Sequence, residues 1–194
     1  VNLKMAYWDD IRLRLQAHVE NMTLKDECYA NQVVLGIDAP AEMDLATMYI
    51  ALHEAEVRVN EFALTLDGDL TLGDSIPMNM HLNAQQWPIR PLIELLPAAI
   101  RSSLSDIEID GLLSLDATAQ GVYADGQMPL IDAHVQLQKG QGRYAPLPYT
   151  LDRLTLDADA HVDLNTPNRS RAVIKQLTAH TLDSEVRLQG TVDD

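Results

Sequence analysis

The chain has 194 residues, of which 46% are hydrophobic, so it can bury enough apolar surface for one folded domain. Its 14 basic and 29 acidic residues give a formal net charge of −15, which repels phosphate backbones and argues against nucleic acid as a partner. Cys28 is the only cysteine, which excludes an intrachain disulfide and a zinc site built from several thiolates.

The main pattern along the chain is the alternation of apolar and polar residues, which predicts β-strands. The clearest run covers residues 154–164, where every even position is apolar and every odd position is polar. Turn signals at Asp67-Gly68, Asp125-Gly126, residues 140–142 and residues 165–168 fall between or near such runs. In chain order, the predicted strands lie near residues 11–19, 33–37, 57–59, 62–72, 76–82, 107–109, 113–115, 131–137, 154–164, 172–179 and 186–192.

One segment has a helical period instead. Residues 91–104 carry leucine and isoleucine near intervals of three and four, with Pro91 in the first turn, and this predicts a short amphipathic helix. About ten strands and one helix predict an all-β, mainly antiparallel fold, either a curled, elongated sheet or groove or a β-sandwich. We expect residues 1–194 to form a single β-rich domain. Because the sequence begins without Met and stops directly after a strand pattern, we expect it to be a fragment of a longer protein.

The sequence contains few candidate metal or catalytic residues. Asp159, His161 and Asp163 share one face of a predicted strand, but same-face neighbours lie about 6.5 to 7 Å apart, too far for one ion to bind all three. Residues 106–111 resemble the first half of an EF-hand calcium loop, yet its twelfth position is Ala117, and a strand accounts for all six residues. The motifs of serine hydrolases, P-loops and zinc proteases are absent from the sequence. We therefore predict a non-catalytic protein with no metal and no cofactor.

The continuous apolar face of the predicted sheet must be covered in some way. It can pack on a second sheet, lie under helices or hold an apolar ligand. A single short helix is too small to cover about ten strands, so a sandwich core and a ligand-holding groove stay open as alternatives. The apolar positions are mostly aliphatic and only 5% of the chain is aromatic, which favours contact with flexible hydrocarbon over contact with sugar rings.

The order of turns and strands from about residue 75 to residue 194 resembles the C-terminal region of AsmA-like proteins of the bacterial envelope. The first 70 residues share only the general character of that family. The helix at residues 91–104 and the strand pattern after it also fit the family's order of elements. The motif residues are Gly121, Tyr123, Gly126 and Pro129, then Tyr144, Leu147 and Pro148, and finally Leu188, Gly190 and Val192.

This resemblance implies a location on the periplasmic side of the bacterial cell envelope. It implies an anchor in the inner membrane, formed by an N-terminal helix that this chain does not contain. It also implies kinship with TamB-like and other bridge-like lipid-transfer proteins, in which a long curled sheet forms a groove that shields acyl chains. The family is not known as enzymatic, so no catalytic residue is carried over.

We therefore expect an apolar β-groove that shields the acyl chains of phospholipid or another acyl-chain ligand, for lipid transport or outer-membrane biogenesis. Envelope proteins are further expected partners. The alternative is a β-sandwich adhesion or scaffold module that binds protein partners through an edge strand or loops. The residues expected to line the groove are Leu64, Leu66, Val135, Leu137, Leu154, Leu156, Val162, Leu164, Val186 and Leu188.

Overall fold

The fold is a single antiparallel sheet, which confirms the all-β prediction. The computed structural model describes residues 7–24, 27–94, 101–102, 105–145, 150–182 and 184–193. A short helix, α1 (Ile89–Glu94), follows the fifth strand, and a 3-10 turn (Pro167–Arg169) precedes the ninth. The strands are β1 (Tyr7–Leu24), β2 (Glu27–Asp44), β3 (Tyr49–Val59), β4 (Phe62–Thr71), β5 (Ile76–Pro88), β6 (Ile107–Tyr123), β7 (Leu130–Tyr144), β8 (Thr150–Val162), β9 (Arg171–Thr181) and β10 (Ser184–Asp193).

The ten strands are arranged in their chain order, from β1 at one side of the sheet to β10 at the other. Each strand therefore pairs only with the strands before and after it in the sequence. Short antiparallel connections suffice for such a meander, because consecutive strands run in opposite directions.

The pairing register brings apolar residues of all ten strands onto one face of the sheet. One row of directly paired residues crosses the whole sheet, and we call it the apolar row. The residues next to it along each strand form a second row of direct pairs, the polar row, whose side chains point to the opposite face. The apolar row is Leu15, Ile37, Val57, Leu64, Ala84, Leu115, Val135, Ala158, Ile174 and Gly190. The polar row is Arg14, Asp38, Glu56, Thr65, Asn83, Asp116, His134, Asp159, Val173 and Thr191.

The sheet is open and uncurled, which differs from the curled sheet and from the sandwich expected above. All the described strands belong to one layer, and none of them forms a second sheet over it. Curvature arises where bulges on neighbouring strands bend the sheet together. The bulge at Gln86 lies several residues further along β5 than His81, which is level with the bulge at Glu54. The bulges at Lys139 of β7 and Arg153 of β8 flank the Gly140–Leu154 pair. The β4–β5 pair contains no bulge at all.

The strand predicted at residues 154–164 is β8, which begins four residues earlier and ends at Val162. Leu164 lies in the following turn and is 55% exposed, so it is not part of the sheet face. Asp163 stops the strand: it is 6% exposed, and its Oδ1 accepts hydrogen bonds from the backbone N–H groups of Asn165 and Thr166 at 3.0 Å. A carboxylate that caps its own turn in this way competes with strand pairing.

Two of the four turn signals mark turns. Asp125-Gly126 joins β6 to β7, and residues 165–168 lie between β8 and β9. The signals at Asp67-Gly68 and at residues 140–142 lie inside β4 and β7 instead. Gly68 has a φ of 124°, and a Cβ built there would lie 2.0 Å from the carbonyl oxygen of Asn79. That glycine is required by the close approach of β4 and β5, which a sequence pattern cannot distinguish from a turn.

The helix predicted at residues 91–104 begins two residues earlier, at Ile89. Residues 95–100 and 103–104 lie outside the described part of the chain, whereas residues 101–102 are helical. Helix α1 contacts β5 and β6 at the end of the sheet, where Ile89 is 8% exposed. Nearby, the rings of Phe62 and Trp87 lie 5.1 Å apart and tilted, and Phe62 is 2% exposed. The two rings form an aromatic contact beside the helix at this end of the sheet.

Candidate functional site

The apolar face of the sheet is the candidate site, because it combines aliphatic side chains with access from solution. Near the β1 side, Leu13 and Leu15 are 53% and 54% exposed. Near the β10 side, Val186 and Leu188 are 54% and 47% exposed. No large side chain in the described ranges is fully buried. A covering layer would bury these side chains, so the face is open near both sides of the sheet, whereas Leu137 and Ala84 nearer its middle are 5% and 1% exposed.

Nine of the ten residues expected to line a groove lie on strands of this sheet, and Leu164 is the exception. They fall into groups on β4, β7, β8 and β10. Leu137, Leu156 and Leu188 are brought together in one row, with Leu177 of β9 between the last two. The groups are Leu64 and Leu66 on β4, Val135 and Leu137 on β7, Leu154, Leu156 and Val162 on β8, and Val186 and Leu188 on β10.

The expected set omits the residues that connect these groups into one surface. Ala84 of β5 and Leu115 of β6 bridge Leu64 to Val135 in the apolar row. On the β1 side, Leu15 and Ile37 continue the same row. All of them follow the same period-two alternation, so the sequence signal was present, but only the register shows that the runs share one face.

The side chains of the apolar face differ in size, so some rows project further from the sheet than others. Four alanines on adjacent strands, Ala117, Ala133, Ala160 and Ala172, are directly paired in one row. The apolar row runs beside them with larger side chains on β6, β7 and β9. A methyl group projects less from the sheet than an isopropyl or isobutyl group, so the alanine row is a shallow trough that runs across β6 to β9. Rows on one face are about 7 Å apart along a strand.

The opposite face is covered by cross-strand ion pairs. His81 Nε2 lies 2.9 Å from an oxygen of Asp116, and His161 Nδ1 lies 2.6 Å from Asp132. His134 Nδ1 lies 2.7 Å from Asp159. These imidazoles therefore already have carboxylate partners on the neighbouring strand. Within the residues that the structure covers, no group of three or more side chains could hold a metal ion.

Two carboxylates of this histidine-rich area, Asp159 and Asp116, have lowered pKa values and are held in their ionised form. Lys175 Nζ lies 2.8 Å from Asp159, and the lysine, followed by His134, lowers the pKa of that aspartate. The pKa of Asp116 is lowered by a hydrogen bond from Asn83 and then by one from His81. Hydrogen bonds to an ionised carboxylate favour the charged form. The result is a hydrated, charged surface behind the apolar one.

A second ion-pair cluster lies at the β1 side of the same face. Arg12 donates two hydrogen bonds to Asp38, at 2.6 and 2.9 Å, and Arg14 donates a third at 3.2 Å. Bonding to Arg12 lowers the pKa of Asp38. Both arginines are well exposed and Asp38 is half-buried, so these pairs contribute little to stability, but they keep this face hydrated. The sheet is therefore amphipathic across its width.

Comparison with known proteins adds no relative. No protein-family model matches the sequence, and searches of curated proteins and of solved structures find no similar protein. The likeness to AsmA-like proteins thus depends on the motif residues alone. In the part of the chain that the structure describes, no helix has the length and apolar character needed to cross a bilayer.

Proposed function

We propose that the apolar face binds the acyl chains of phospholipids, in a non-catalytic protein of AsmA-like type that serves lipid transport or outer-membrane biogenesis in the bacterial envelope. The observation that carries this proposal is the apolar row, which crosses all ten strands without a covering layer among the described residues. An uncovered aliphatic surface of this extent is unfavourable in water unless a ligand or partner occupies it.

The composition of the face suits hydrocarbon. Leucine, isoleucine, valine and alanine form the apolar row up to Gly190, with no aromatic ring among them. Each methylene group that leaves water for such a surface contributes about 0.8 kcal/mol. A ligand with long saturated segments therefore gains affinity from length, whereas the apolar row itself contains no polar side chain that could recognise a small polar substrate.

The relief of the face supports a chain that lies across the strands. The alanine row from Ala117 to Ala172 is directly paired over four strands. With strands about 4.8 Å apart, the trough is about 14 Å long, and an extended acyl chain of about eleven methylene groups fits along it. A uniform aliphatic surface creates no deep local minimum, so the chain can slide, as a conduit requires.

The polar face is consistent with the same function, because it can stay in water while the apolar face binds lipid. Its ion pairs, such as His134 with Asp159 and Arg12 with Asp38, stay in water while the apolar face holds lipid. The other candidate, an adhesion or scaffold module, requires two packed sheets with a closed core. The described strands form one sheet, so the geometry gives that candidate less support.

Lipid extraction tests the proposal. Vesicles of phosphatidylcholine that contain self-quenched nitrobenzoxadiazole-labelled phosphatidylethanolamine gain fluorescence when a protein removes labelled lipid. We expect the wild-type protein to raise the fluorescence and Leu188→Asp to reduce its affinity about tenfold, because two lost methylene contacts amount to about 1.6 kcal/mol. Leu188 is 47% exposed, so its replacement leaves the sheet folded.

Thr191→Asp is the matched control, because this residue is exposed on the same strand but belongs to the polar row. It introduces the same charge and should extract lipid like the wild type. Wild-type protein that extracts no lipid would disprove the proposal. Equal losses in both variants would show that charge, and not the apolar face, governs extraction.

A further inference from the structure

The two outer strands of the described sheet contain neither proline nor lysine, although both carry charged side chains and β1 has a bulge between Trp8 and Ile11. β1 has 18 residues and β10 has ten, and each pairs with one strand only in the described sheet. An edge strand presents a row of free backbone N–H and C=O groups to a further strand. Proteins that avoid such pairing place proline or lysine in the edge, and neither strand contains either residue. Both edges are therefore able to accept another strand.

We propose that copies of this chain associate head to tail, with β10 of one copy paired antiparallel with β1 of the next. In a ten-stranded meander the first and last strands run in opposite directions. Two copies that face the same way therefore present antiparallel edges to each other. Such a contact joins two different surfaces, so it can repeat from copy to copy.

One register matches the two edges along the whole of β10. It sets Asp193 opposite Arg14 of the next copy, so that residues 184–193 oppose residues 14–23. Val192 then opposes Leu15, and Gly190 opposes Ala17, which keeps apolar residues of both copies on the same face. A shift of this register by two residues would keep the apolar residues of both copies on the same face, whereas a shift by one residue would place them on opposite faces.

The charges in this register are complementary. The side chains of Asp193 and Arg14 are each 69% exposed, so both can reach across the contact. Opposite charges directly across an antiparallel pair are favourable, and like charges are unfavourable.

Pairing of β10 with a second β10 is the main competitor. The register that opposes Arg187 to Asp193 in that arrangement matches only residues 187–193 of the strand. It also closes at two copies, because both partners then use the same edge. The head-to-tail contact uses all ten residues of β10 and continues the apolar face from one copy to the next.

Charge reversal and mixing test this contact. Sedimentation velocity over a range of concentrations should show that the wild-type chain forms species larger than a dimer. Asp193→Arg and Arg14→Asp, each alone, oppose like charges and should shift association to about tenfold higher concentration. An equimolar mixture of the two variants restores opposite charges at every contact and should associate like the wild type.

Two variants with matching charge changes serve as controls. Asp125→Arg, in the β6–β7 turn, and Arg101→Asp, between β5 and β6, are exposed and lie at strands in the middle of the sheet, so they should associate like the wild type. Circular dichroism and the melting temperature check that every variant is folded.

Three outcomes would overturn the proposal. The first is a wild-type chain that stays monomeric at every concentration. The second is an effect of Asp193→Arg without an effect of Arg14→Asp, which would indicate contact between two β10 strands. The third is association that neither variant alters but that Leu188→Asp abolishes, which would indicate contact through the apolar faces. Lipid extraction by Asp193→Arg measures the proposed function separately, because Asp193 belongs to the polar side of β10.

Discussion

Replacement of Gly68 by alanine tests whether close approach of β4 and β5 shapes the middle of the sheet. Gly68 has a φ of 124°, a conformation that costs an L-residue about 1 to 3 kcal/mol. The added Cβ would also lie 2.0 Å from the Asn79 carbonyl oxygen and 2.9 Å from the Cα of Met80, so the strands would have to move apart. Overpacking of this kind costs about 1 to 3 kcal/mol. We therefore expect Gly68→Ala to lower the free energy of unfolding by about 2 to 6 kcal/mol.

Equilibrium urea unfolding, followed by circular dichroism, measures this loss, and two other glycines separate its parts. Gly126 has a φ of 72° with nothing within 4 Å of an added Cβ, so Gly126→Ala should show the backbone cost alone, about 1 to 2 kcal/mol. Gly190 has open space and no positive φ, so Gly190→Ala should change stability little. A loss for Gly68→Ala no larger than that for Gly126→Ala would refute the reasoning, because the contact with β5 would then carry no cost.

Three further predictions concern other parts of the sheet. Lys139 has a φ of 52° in the β7 bulge, so Lys139→Gly should raise the free energy of unfolding by about 0.5 to 1 kcal/mol in urea titration. Trp87 Nε1 donates a hydrogen bond of 2.7 Å to the Ala63 carbonyl oxygen, and Trp87→Phe should lower the melting temperature through a loss of about 1 kcal/mol. A hydrogen bond from Asn83 is the main cause of the lowered pKa of Asp116, so the ionised carboxylate stabilises the fold when the pH is above 3.8. This stabilisation is lost as the pH falls through the lowered pKa. In urea unfolding, the free energy of unfolding of the wild type should therefore exceed that of Asp116→Asn by less than about 1 kcal/mol at pH 6, and the difference should shrink as the pH falls below 3.8.

Alternation of apolar and polar residues predicted the strands well, because one face of each strand contacts the apolar surface and the other contacts water. β8 shows both the strength and the boundary of this signal. Its period is regular, but the strand ends at Val162 because Asp163 caps the following turn. The alternating pattern continues to Leu164 in the sequence. A pattern of apolar and polar residues does not show that a side-chain hydrogen bond ends the strand earlier.

The glycines show why turns were harder to predict than strands. Asp125-Gly126 and Asp67-Gly68 are the same dipeptide, yet the first forms a turn and the second lies inside β4. Both positions require a positive φ, which is what the sequence reports. Whether the chain reverses direction at such a glycine depends on how the strand pairs with its neighbour, which the dipeptide itself does not show.

The candidate site was predicted in part, for the same reason. Parity alone assigned Leu137, Leu156 and Leu188 to an apolar face, but the register was needed to join them through Leu177. The cross-strand pairs of the polar face link residues far apart in the sequence, such as His134 with Asp159, and no local pattern reveals them. The curl was wrongly expected because alternation specifies which face is apolar and leaves the curvature of the sheet to the placement of bulges.

The chain-order arrangement of the strands makes this sheet extensible. Since each strand depends on its two chain neighbours, contacts are local, and hairpins can form one after another as the chain is synthesised. Insertion or deletion of one hairpin would change the width of the sheet by about 10 Å and leave every other pairing intact. Because strands are then gained or lost in pairs, their directions still alternate and the hydrophobic side stays the same. Evolution can thus change the width of this surface by duplicating or losing hairpins, without redesigning a core.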